Sequence, residues 1–507
     1  MNNGHAASDL RRSQALHDAN ADLVRYEQLI GFLTADERLG VAAVGDKLIE
    51  DAGGLSKLAD YKVMVAYGGG KDSTYVVAFV RAVQLRLQLA YGRTFLMRVA
   101  NMRHAGVVSA VMENIDRVYS ALGLLDDERV DLLTIDHTEI RRFRVDLPLP
   151  DKLVAINRLD VLMNGHRSAG DGRPTFCNSC NLAVADFYGR AAWWRGGVDA
   201  IMTGDSRREQ ALYAAWILRL AKGIGIDVQR KGMTFQDLLA ALRGVGDAYF
   251  RELFGDDEHE PAEREVAVGD RSVQPTFVSI YDLVSYRVHD HWDLIVDFLG
   301  FRFDDLAFSF TESDCANPTL MAHLRGLRVE CVEGRTYQAG IHEYLEFAET
   351  MMRRKEMPDR LIDLALGRYD SPEKIDRQRE VAATYAENAF GLGEDELVAM
   401  VFSPFTNAGA RLAEFVERCH PERVDEIPAL HAALRGEPGT DSAAGWLAEV
   451  SGLSITHLRT LYRSALVDFA AGDTVMARVR AGDPHKSQVH TVDARSGLPT
   501  LELISGR

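Results

Sequence analysis

Two hydrophobic patterns alternate along the first half of the chain. Short apolar runs rich in β-branched residues, which are typical of buried strands, are followed by stretches in which apolar residues recur at helical spacing. The predicted strands are a run that begins at Val63, Arg93–Ala100, Val130–Asp136 and Val198–Thr203. Strands separated by helices in this way predict an α/β fold, in which a mostly parallel, twisted sheet is covered by helices on both faces.

The rest of the pattern is largely helical and divides the chain into four segments. An N-terminal helical segment is predicted over 1–60, the α/β domain over 61–235, its continuation with substrate- or metal-site elements over 236–358, and a C-terminal helical domain over 359–507. A Gly-rich, polar loop is expected at Met163–Pro174, because glycine and proline interrupt regular elements. The polar residues 480–507 are expected to form a loose tail.

Polar residues and glycines follow the predicted strands, at the edge where open α/β sheets bind their ligands. They are the glycines after the first strand, Asn101, Asp136 and Asp205. The first of these places is the most informative, because three glycines there are followed by Lys71 and by residues that favour a helix N-terminus. Glycine allows close approach of an anion to the backbone, and a helix N-terminus attracts phosphate. An ordinary βα turn is the alternative for a glycine run alone, but the order strand, loop, helix favours a phosphate site.

The string GGGKDST resembles the PP-loop of the ATP pyrophosphatase superfamily, whose pattern is S-G-G-x-D-S-S/T. Gly68 stands where the family has serine, so one possible hydroxyl donor is missing. The resemblance implies a fold of the HUP type and cleavage of ATP into AMP and pyrophosphate. Such cleavage adenylates a carbonyl or amide oxygen, which nitrogen or sulfur then replaces. The residues that the resemblance assigns to nucleotide binding in this loop are Gly68, Gly69, Gly70, Asp72, Ser73 and Thr74.

The resemblance also implies individual roles. Asp72 would hold a Mg²⁺ ion that bridges the phosphates, since this ion prefers oxygen ligands. Lys71 and the glycine amides would stabilise negative charge on the leaving pyrophosphate. Asn101 lies where the superfamily holds adenine and ribose, although it could equally be a turn former.

A second loop, at 203–209, resembles the other signature loop of the superfamily, which lies beside the triphosphate. Gly204 would approach the nucleotide, Asp205 would be a second Mg²⁺ ligand, and Arg207 or Arg208 would clamp a phosphate. A charged helix cap with solvated arginines is the alternative.

A second candidate site contains cysteines. Cys177 and Cys180 form a C-x-x-C motif, placed by the pattern just before a helix, and this spacing lets two thiolates converge on one metal ion. Cys315, in a polar loop sequence, is the best third ligand for Zn²⁺ or a 4Fe–4S cluster. The alternatives are two unlinked thiols or a redox dithiol. Cys331 is expected to be structural, and no role is expected for Cys419.

A PP-loop, a C-x-x-C motif and a later lone cysteine resemble the layout of N-acetyl sugar amidotransferases and, more distantly, of tRNA-thiolation enzymes. The first resemblance implies adenylation of a sugar or other small molecule followed by amination, with ammonia from a separate glutaminase. The second implies an iron–sulfur-dependent sulfurtransferase, supplied by a sulfur-donor protein. A third alternative is an ATP-binding regulatory or complex-forming protein.

Composition limits the choice of partners. The 58 Lys and Arg against 75 Asp and Glu give a net charge of −17, which disfavours a broad electrostatic grip on nucleic acid without excluding a local basic groove. No apolar run is long enough to span a membrane, and the N-terminus is too polar for a signal peptide. A cytoplasmic enzyme with a small-molecule substrate is therefore expected, and its oligomeric state is open.

Overall fold

The computed structural model of the chain describes residues 20–203, 207–226, 233–255, 274–280, 284, 291–302, 317–354, 357–482, 486–492 and 499–505. No helix in these ranges is both long and apolar enough to cross a membrane.

The described elements are numbered in chain order. The strands are β1 Lys62–Ala66, β2 Leu96–Arg103, β3 Val130–Asp136, β4 Glu139–Arg142, β5 Ala200–Thr203, β6 Thr276–Ser279, β7 Lys486–Val492 and β8 Pro499–Ser505. The helices of the N-terminal and α/β parts are α1 20–31, α2 Ala35–Asp51, α3 Lys71–Tyr91, α4 Ser109–Ala121, α5 Asp151–Ser168, α6 Gly172–Trp193, α7 Arg207–Gly223 and α8 Phe235–Phe254. The later helices are α9 Pro318–Leu327, α10 Tyr337–Arg354, α11 Asp359–Leu366, α12 Pro372–Phe390, α13 Glu394–Phe402, α14 Leu412–Cys419, α15 Ile427–Arg435, α16 Asp441–Ser451, α17 Ile455–Arg463 and α18 Val475–Gly482.

A six-stranded sheet forms the centre of the α/β part, in the order β4-β3-β2-β1-β5-β6. Five of its strands run parallel, and β4 pairs antiparallel with β3 at one edge. The predicted α/β fold with a mostly parallel sheet is therefore confirmed. The strand predicted at Arg93–Ala100 begins and ends three residues later, whereas Val130–Asp136 has the predicted bounds.

Both faces of the sheet are covered by helices. On one face, Met64 packs with Phe187 and Ala191 of α6. The alternate residues Val63 and Val65 belong to the main core, which contains the apolar side chains of α3 and α4. Successive side chains of a strand point to opposite faces, so a strand buried on both sides has no polar alternation. This is why β1 is a continuous apolar run in the sequence.

Helix α3 is buried on nearly every side, although its sequence suggests an amphipathic surface helix. Its far side is covered by α2, so most of its residues are inaccessible to solvent. Even Arg81 is fully buried, where its guanidinium pairs with Asp127 at 2.8 Å and donates to the carbonyl of Leu122 at 3.2 Å. A buried cation is tolerated only when it is paired in this way.

A buried polar cluster joins α2 to α3. The Glu37 carboxylate accepts a hydrogen bond from the Tyr75 hydroxyl at 2.8 Å, bonds to His291, and accepts from the backbone N–H of Thr34 at 2.7 Å. Burial by itself would raise the pKa of Glu37, but these hydrogen bonds outweigh it and lower the pKa to about 2. His291 is thus a core residue.

The predicted loop at Met163–Pro174 is wrong, because helices α5 and α6 occupy most of it. Its glycines serve close helix packing. A Cβ atom at Gly165 would lie 2.0 Å from Sδ of Met400, and one at Gly170 would lie 2.7 Å from Cγ1 of Val401. Glycine therefore allows α13 to approach the end of α5, which is a second reason for glycine besides turn formation.

The predicted loose tail is also wrong over part of its length. Strands β7 and β8 form an antiparallel pair, in which Val489 lies opposite Glu502. Strand β7 is mostly polar and lacks a regular alternation of polar and apolar residues, so its sequence gives no clear strand signal. The helical character expected after Pro358 is confirmed by α11 to α18.

The cluster around Glu37 leads to a prediction about acid stability. The pKa of Glu37 falls from 4.5 to about 2 on folding. Its stabilisation is therefore complete above pH 4.5 and is lost as the pH falls towards about 2. At neutral pH, Glu37→Gln should lower the free energy of unfolding by up to about 3 kcal/mol, as this shift implies.

Urea denaturation at several pH values measures this effect. The difference between the wild type and Glu37→Gln should shrink from about pH 5 to about pH 3. Glu50→Gln, at an exposed position of the same helix, is the control and should have little effect at either pH. A difference that does not change with pH would contradict the assigned role of Glu37.

Candidate nucleotide site

The glycine loop lies at the point where the strand order of the sheet reverses. From β1 the chain crosses to β2 and β3 on one side, whereas β5 and β6 lie on the other side of β1. In open α/β sheets the loops that leave such neighbouring strands in opposite directions form a crevice at the carboxyl edge, where ligands bind. The predicted loop thus occupies the edge position that the fold makes most suitable for a ligand.

The backbone of the loop depends on one glycine. Gly69 has a φ of +81°, which side chains other than glycine rarely adopt. A Cβ atom there would also lie 2.7 Å from Cγ1 of Val111 and 3.2 Å from Cδ1 of Ile115. Gly69 is therefore required both for the backbone conformation and for packing against α4.

Gly70 is the N-cap of α3, and Gly68 is exposed. Among the described residues, the N–H groups of Gly68, Gly69 and Gly70 have no hydrogen-bond acceptor. They precede a long helix whose dipole places partial positive charge at this end. Backbone donors at a helix N-terminus are the usual means of binding a phosphate.

The hydroxyl groups of the loop bond to the loop itself. The Ser73 and Thr74 hydroxyls both donate to the carbonyl of Gly70, at 3.0 and 2.9 Å. The Thr74 hydroxyl also shares a 3.0 Å hydrogen bond with the hydroxyl of Tyr67. Thr74 is fully buried, so its hydroxyl here stabilises the loop, whereas half-buried Ser73 is more accessible to a ligand.

Lys71 and Asp72 form an ion pair at 2.8 Å. The side chain of Lys71 is only 7% exposed, whereas that of Asp72 is 54% exposed. Lys71 is therefore held in place, in contrast to the mobile charge that its position in a loop suggests. An exposed carboxylate beside free backbone donors fits the oxygen-ligand chemistry of Mg²⁺.

Asn101 secures the start of the loop. Its side chain is 1% exposed, and its Nδ2 donates to the carbonyl of Tyr67 at 2.8 Å. Its Oδ1 has no hydrogen-bond partner among the described residues, although buried polar atoms are normally paired. The turn-former interpretation does not hold, since Asn101 lies within β2 and continues its pairing with Thr134 of β3.

The second signature loop leaves the strand beside the glycine loop. Met202 pairs with Val65, one residue before the end of each strand, so β1 and β5 end at the same level of the sheet. Gly204 and Asp205 lie outside the described residues, and α7 begins at Arg207. The two loops therefore leave neighbouring strands at the same edge of the sheet.

Asp136, at the end of β3, is part of a buried ion-pair cluster. Two nitrogens of Arg103 donate to its two oxygens, at 2.7 and 2.6 Å, and Arg141 also donates to it. This bidentate pairing satisfies both oxygens of the carboxylate. Because both oxygens of Asp136 are bound to arginines, this carboxylate at the end of β3 is not available as a ligand for a nucleotide.

The C-x-x-C motif lies inside a helix, not before one. Helix α6 begins at Gly172, and Pro174 is tolerated there because the first turn of a helix needs no N–H from it. Cys177 is 1% exposed and belongs to the main core, whereas Cys180 is half-buried one turn later. Cys315 lies outside the described residues. In the described ranges, no group of three or more His, Cys, Asp or Glu side chains is arranged to hold a metal ion.

A cleft lies at the same edge of the sheet, beyond β2 and β3. Cys180 lines it, together with His104, Asn157 and the apolar side chain of Phe250. The sequence gives no motif for this cleft, because its lining is contributed by five separate parts of the chain. The positions of His104, just after β2, and His137, just after β3, indicate a place near the carboxyl edge.

Comparison of the chain with protein-family models, with curated proteins and with solved structures finds no match.

The loop geometry predicts a difference between Gly69, before the N-cap of α3, and Gly92, which is its C-cap. Gly69→Ala and Gly92→Ala each place a Cβ atom on a left-handed residue, at a cost of about 1–2 kcal/mol. At Gly92 nothing lies within 4 Å of the added atom, whereas at Gly69 it meets Val111. Gly69→Ala should therefore lower stability further and weaken binding of MgATP by at least about tenfold.

Gly92→Ala serves as the matched control and should leave the nucleotide affinity unchanged. Urea denaturation measures stability, and equilibrium dialysis with labelled ATP measures affinity. Equal affinity of both variants for MgATP would contradict the placement of nucleotide on this loop.

Proposed function

We propose that the chain is an AMP-forming ATP pyrophosphatase that adenylates a carbonyl or amide oxygen of a small molecule and then exchanges that oxygen for nitrogen. The observation that carries this proposal is the position of Gly68–Thr74, where the strand order of the sheet reverses and a buried helix begins. The parallel strand order β3-β2-β1-β5-β6 supports a fold of the HUP type. The resemblance of the loop to the PP-loop selects ATP among possible phosphate ligands.

Several groups of the loop would take part in this reaction. The glycine amides and the N-terminus of α3 would bind phosphate oxygens, and the exposed Asp72 would hold a Mg²⁺ ion between them. Buried Lys71 would stabilise the charge that develops on pyrophosphate as the bond to the α-phosphorus breaks. The substrate oxygen forms the new bond to that phosphorus, and ammonia later displaces AMP from the adenylated carbon.

Ammonia would come from a separate glutaminase. A sulfurtransferase is the alternative, and the position of Cys180 on a cleft beside the loop favours it. In that case Cys177, Cys180 and Cys315 would hold a cluster, and a donor protein would supply sulfur. Either enzyme would act in the cytoplasm, the amidotransferase on a small molecule and the sulfurtransferase on a small molecule or tRNA.

An ATP-binding regulatory protein is a further alternative. It is favoured by the hydroxyls of Ser73 and Thr74, which bond to the loop's own carbonyl, and by the missing hydroxyl at Gly68. Such a protein would bind ATP without cleaving it.

The first experiment follows the products of α-labelled ATP. The wild type should release AMP and pyrophosphate at a slow rate when water replaces the substrate. Asp72→Ala should lower this rate about 100-fold, because a Mg²⁺ ligand and the partner of Lys71 are both lost.

Asp370→Ala is the matched control, since Asp370 also forms an exposed ion pair, with Lys374 at 2.8 Å, but in the loop before α12. Its rate of AMP release should equal that of the wild type. Release of ADP, or equal rates for Asp72→Ala and the wild type, would rule out the proposed site. Binding of ATP without any product would favour the regulatory protein.

The second experiment distinguishes nitrogen from sulfur chemistry by the metal content of anaerobically purified protein. A brown protein with broad visible absorption, lost in Cys180→Ala, would support a cluster and the sulfurtransferase. A colourless protein with zinc would support the amidotransferase. Cys419→Ala, at another half-buried cysteine, should change neither result. Protein without iron or zinc would show that the predicted metal site is wrong.

A further inference from the structure

The cleft beyond β2 and β3 lies next to the candidate nucleotide site. Strand β2 joins the two, because Asn101 bonds to the start of the glycine loop while His104, three residues later, lines the cleft. The cleft is built from other elements than the glycine loop, since α5, α6 and α8 contribute most of its lining. Much of the wall is apolar and includes Leu153, Phe187 and Phe250.

Two of the side chains that line this cleft carry hydrogen-bond donors. His104 is 7% exposed, and its Nδ1 accepts from the N–H of Gly106 at 3.2 Å. Burial lowers the pKa of His104 to about 4, so the ring is neutral at pH 7 and its proton lies on Nε2. Asn157 is 6% exposed, and its Oδ1 accepts from the N–H of Ala105 at 2.8 Å. His104 Nε2–H and the Asn157 Nδ2 amide are left without an acceptor in the described part of the chain.

The charges of the cleft disfavour an anionic ligand. Asp160 and Asp186 are both buried in its wall. The guanidinium of Arg103 is bound to Asp136, and that of Arg243 lies 3.9 Å from Asp247. Both arginines of the described lining therefore face carboxylates. Asp186 is in turn paired with Arg190 at 2.6 Å. An anionic ligand would therefore have to compete with carboxylates for the arginines of the described lining, which is costly in a partly desolvated site.

We propose that this cleft binds the acceptor substrate, and that the substrate is a neutral amide with an apolar or aromatic body whose carbonyl oxygen accepts from His104 and Asn157. It is neither a phosphorylated metabolite nor a nucleic acid. The role of the amide as acceptor substrate rests on the proposed function. The binding of a neutral amide rests on the cleft alone.

Protection of Cys180 from alkylation tests the inference, with benzamide as the probe and benzoate as its anionic counterpart of nearly equal shape. The thiols are labelled with N-ethylmaleimide, and the labelled positions are assigned by peptide fragmentation. Benzamide at millimolar concentration should slow labelling of Cys180 several-fold, since Cys180 lines the cleft. Cys331 and Cys419, which do not line it, are internal controls and should react at unchanged rates.

Two substitutions remove the donors. Asn157→Asp keeps the acceptor for Ala105 but loses the amide donor, and His104→Phe keeps a ring against Phe390 but loses Nε2–H. Both should abolish protection by benzamide. His431→Phe is the matched control, because this histidine also bonds to a neighbour, Tyr462, but lies outside the cleft. Unchanged labelling of Cys331 and Cys419 in each variant shows that it is folded.

Equal or stronger protection by benzoate would overturn the inference, as would a lack of protection by benzamide. If adenosine protected Cys180 as well as benzamide does at the same concentration, the inference would also be overturned, because the cleft would then bind the nucleotide. The assay contains no ATP. AMP release is measured separately, in the experiment with labelled ATP. If benzamide protects Cys180 but no AMP is released there, only the proposed function is contradicted. If AMP is released but benzamide does not protect Cys180, only the cleft assignment is contradicted.

Discussion

The burial of α3 is the constraint on which the position of the glycine loop depends. Neighbouring elements cover this helix on nearly every side, so its axis cannot shift without breaking the core. Arg81 is held by Asp127. Burial by itself would raise the pKa of Asp127, but Arg129 and Arg81 outweigh it and lower the pKa to about 2. A helix fixed in this way presents its N-terminus at one place on the carboxyl edge of the sheet. The backbone donors of the loop are therefore arranged before any ligand arrives.

The loop is held at both ends by side chains that do not need to touch a ligand. Asn101 binds the carbonyl of Tyr67 at the end of β1, and Thr74 binds Gly70 and the Tyr67 hydroxyl in the first turn of α3. These buried hydrogen bonds are costly to break, because each partner would be left unsatisfied. The glycines between them provide the backbone freedom and the small size, and the surrounding residues provide the rigidity.

Charge is distributed unevenly along the carboxyl edge. At β3 the carboxylate of Asp136 is neutralised by Arg103 and Arg141, which closes that end of the sheet. At β1 the ion pair of Lys71 and Asp72 remains open to solvent on the side of the carboxylate. In the described lining of the cleft between β3 and α8, Arg103 and Arg243 lie beside carboxylates. The proposed nucleotide and the proposed uncharged substrate would thus occupy different parts of this edge.

The sequence by itself determined the fold class and the place of the glycine loop, because strand burial on both faces and the βα turn are local patterns of a few residues. It also indicated the helical C-terminal part. The tertiary structure alone decided which glycines serve packing, since Gly165 and Gly170 are needed by Met400 and Val401, more than 200 residues away in the chain. Three other features also depend on the tertiary structure. They are the burial of Cys177 in the core, the ion pairs of Asp136 with arginines, and the cleft, whose lining comes from distant segments. These features depend on contacts between elements, and no local pattern records which elements will meet.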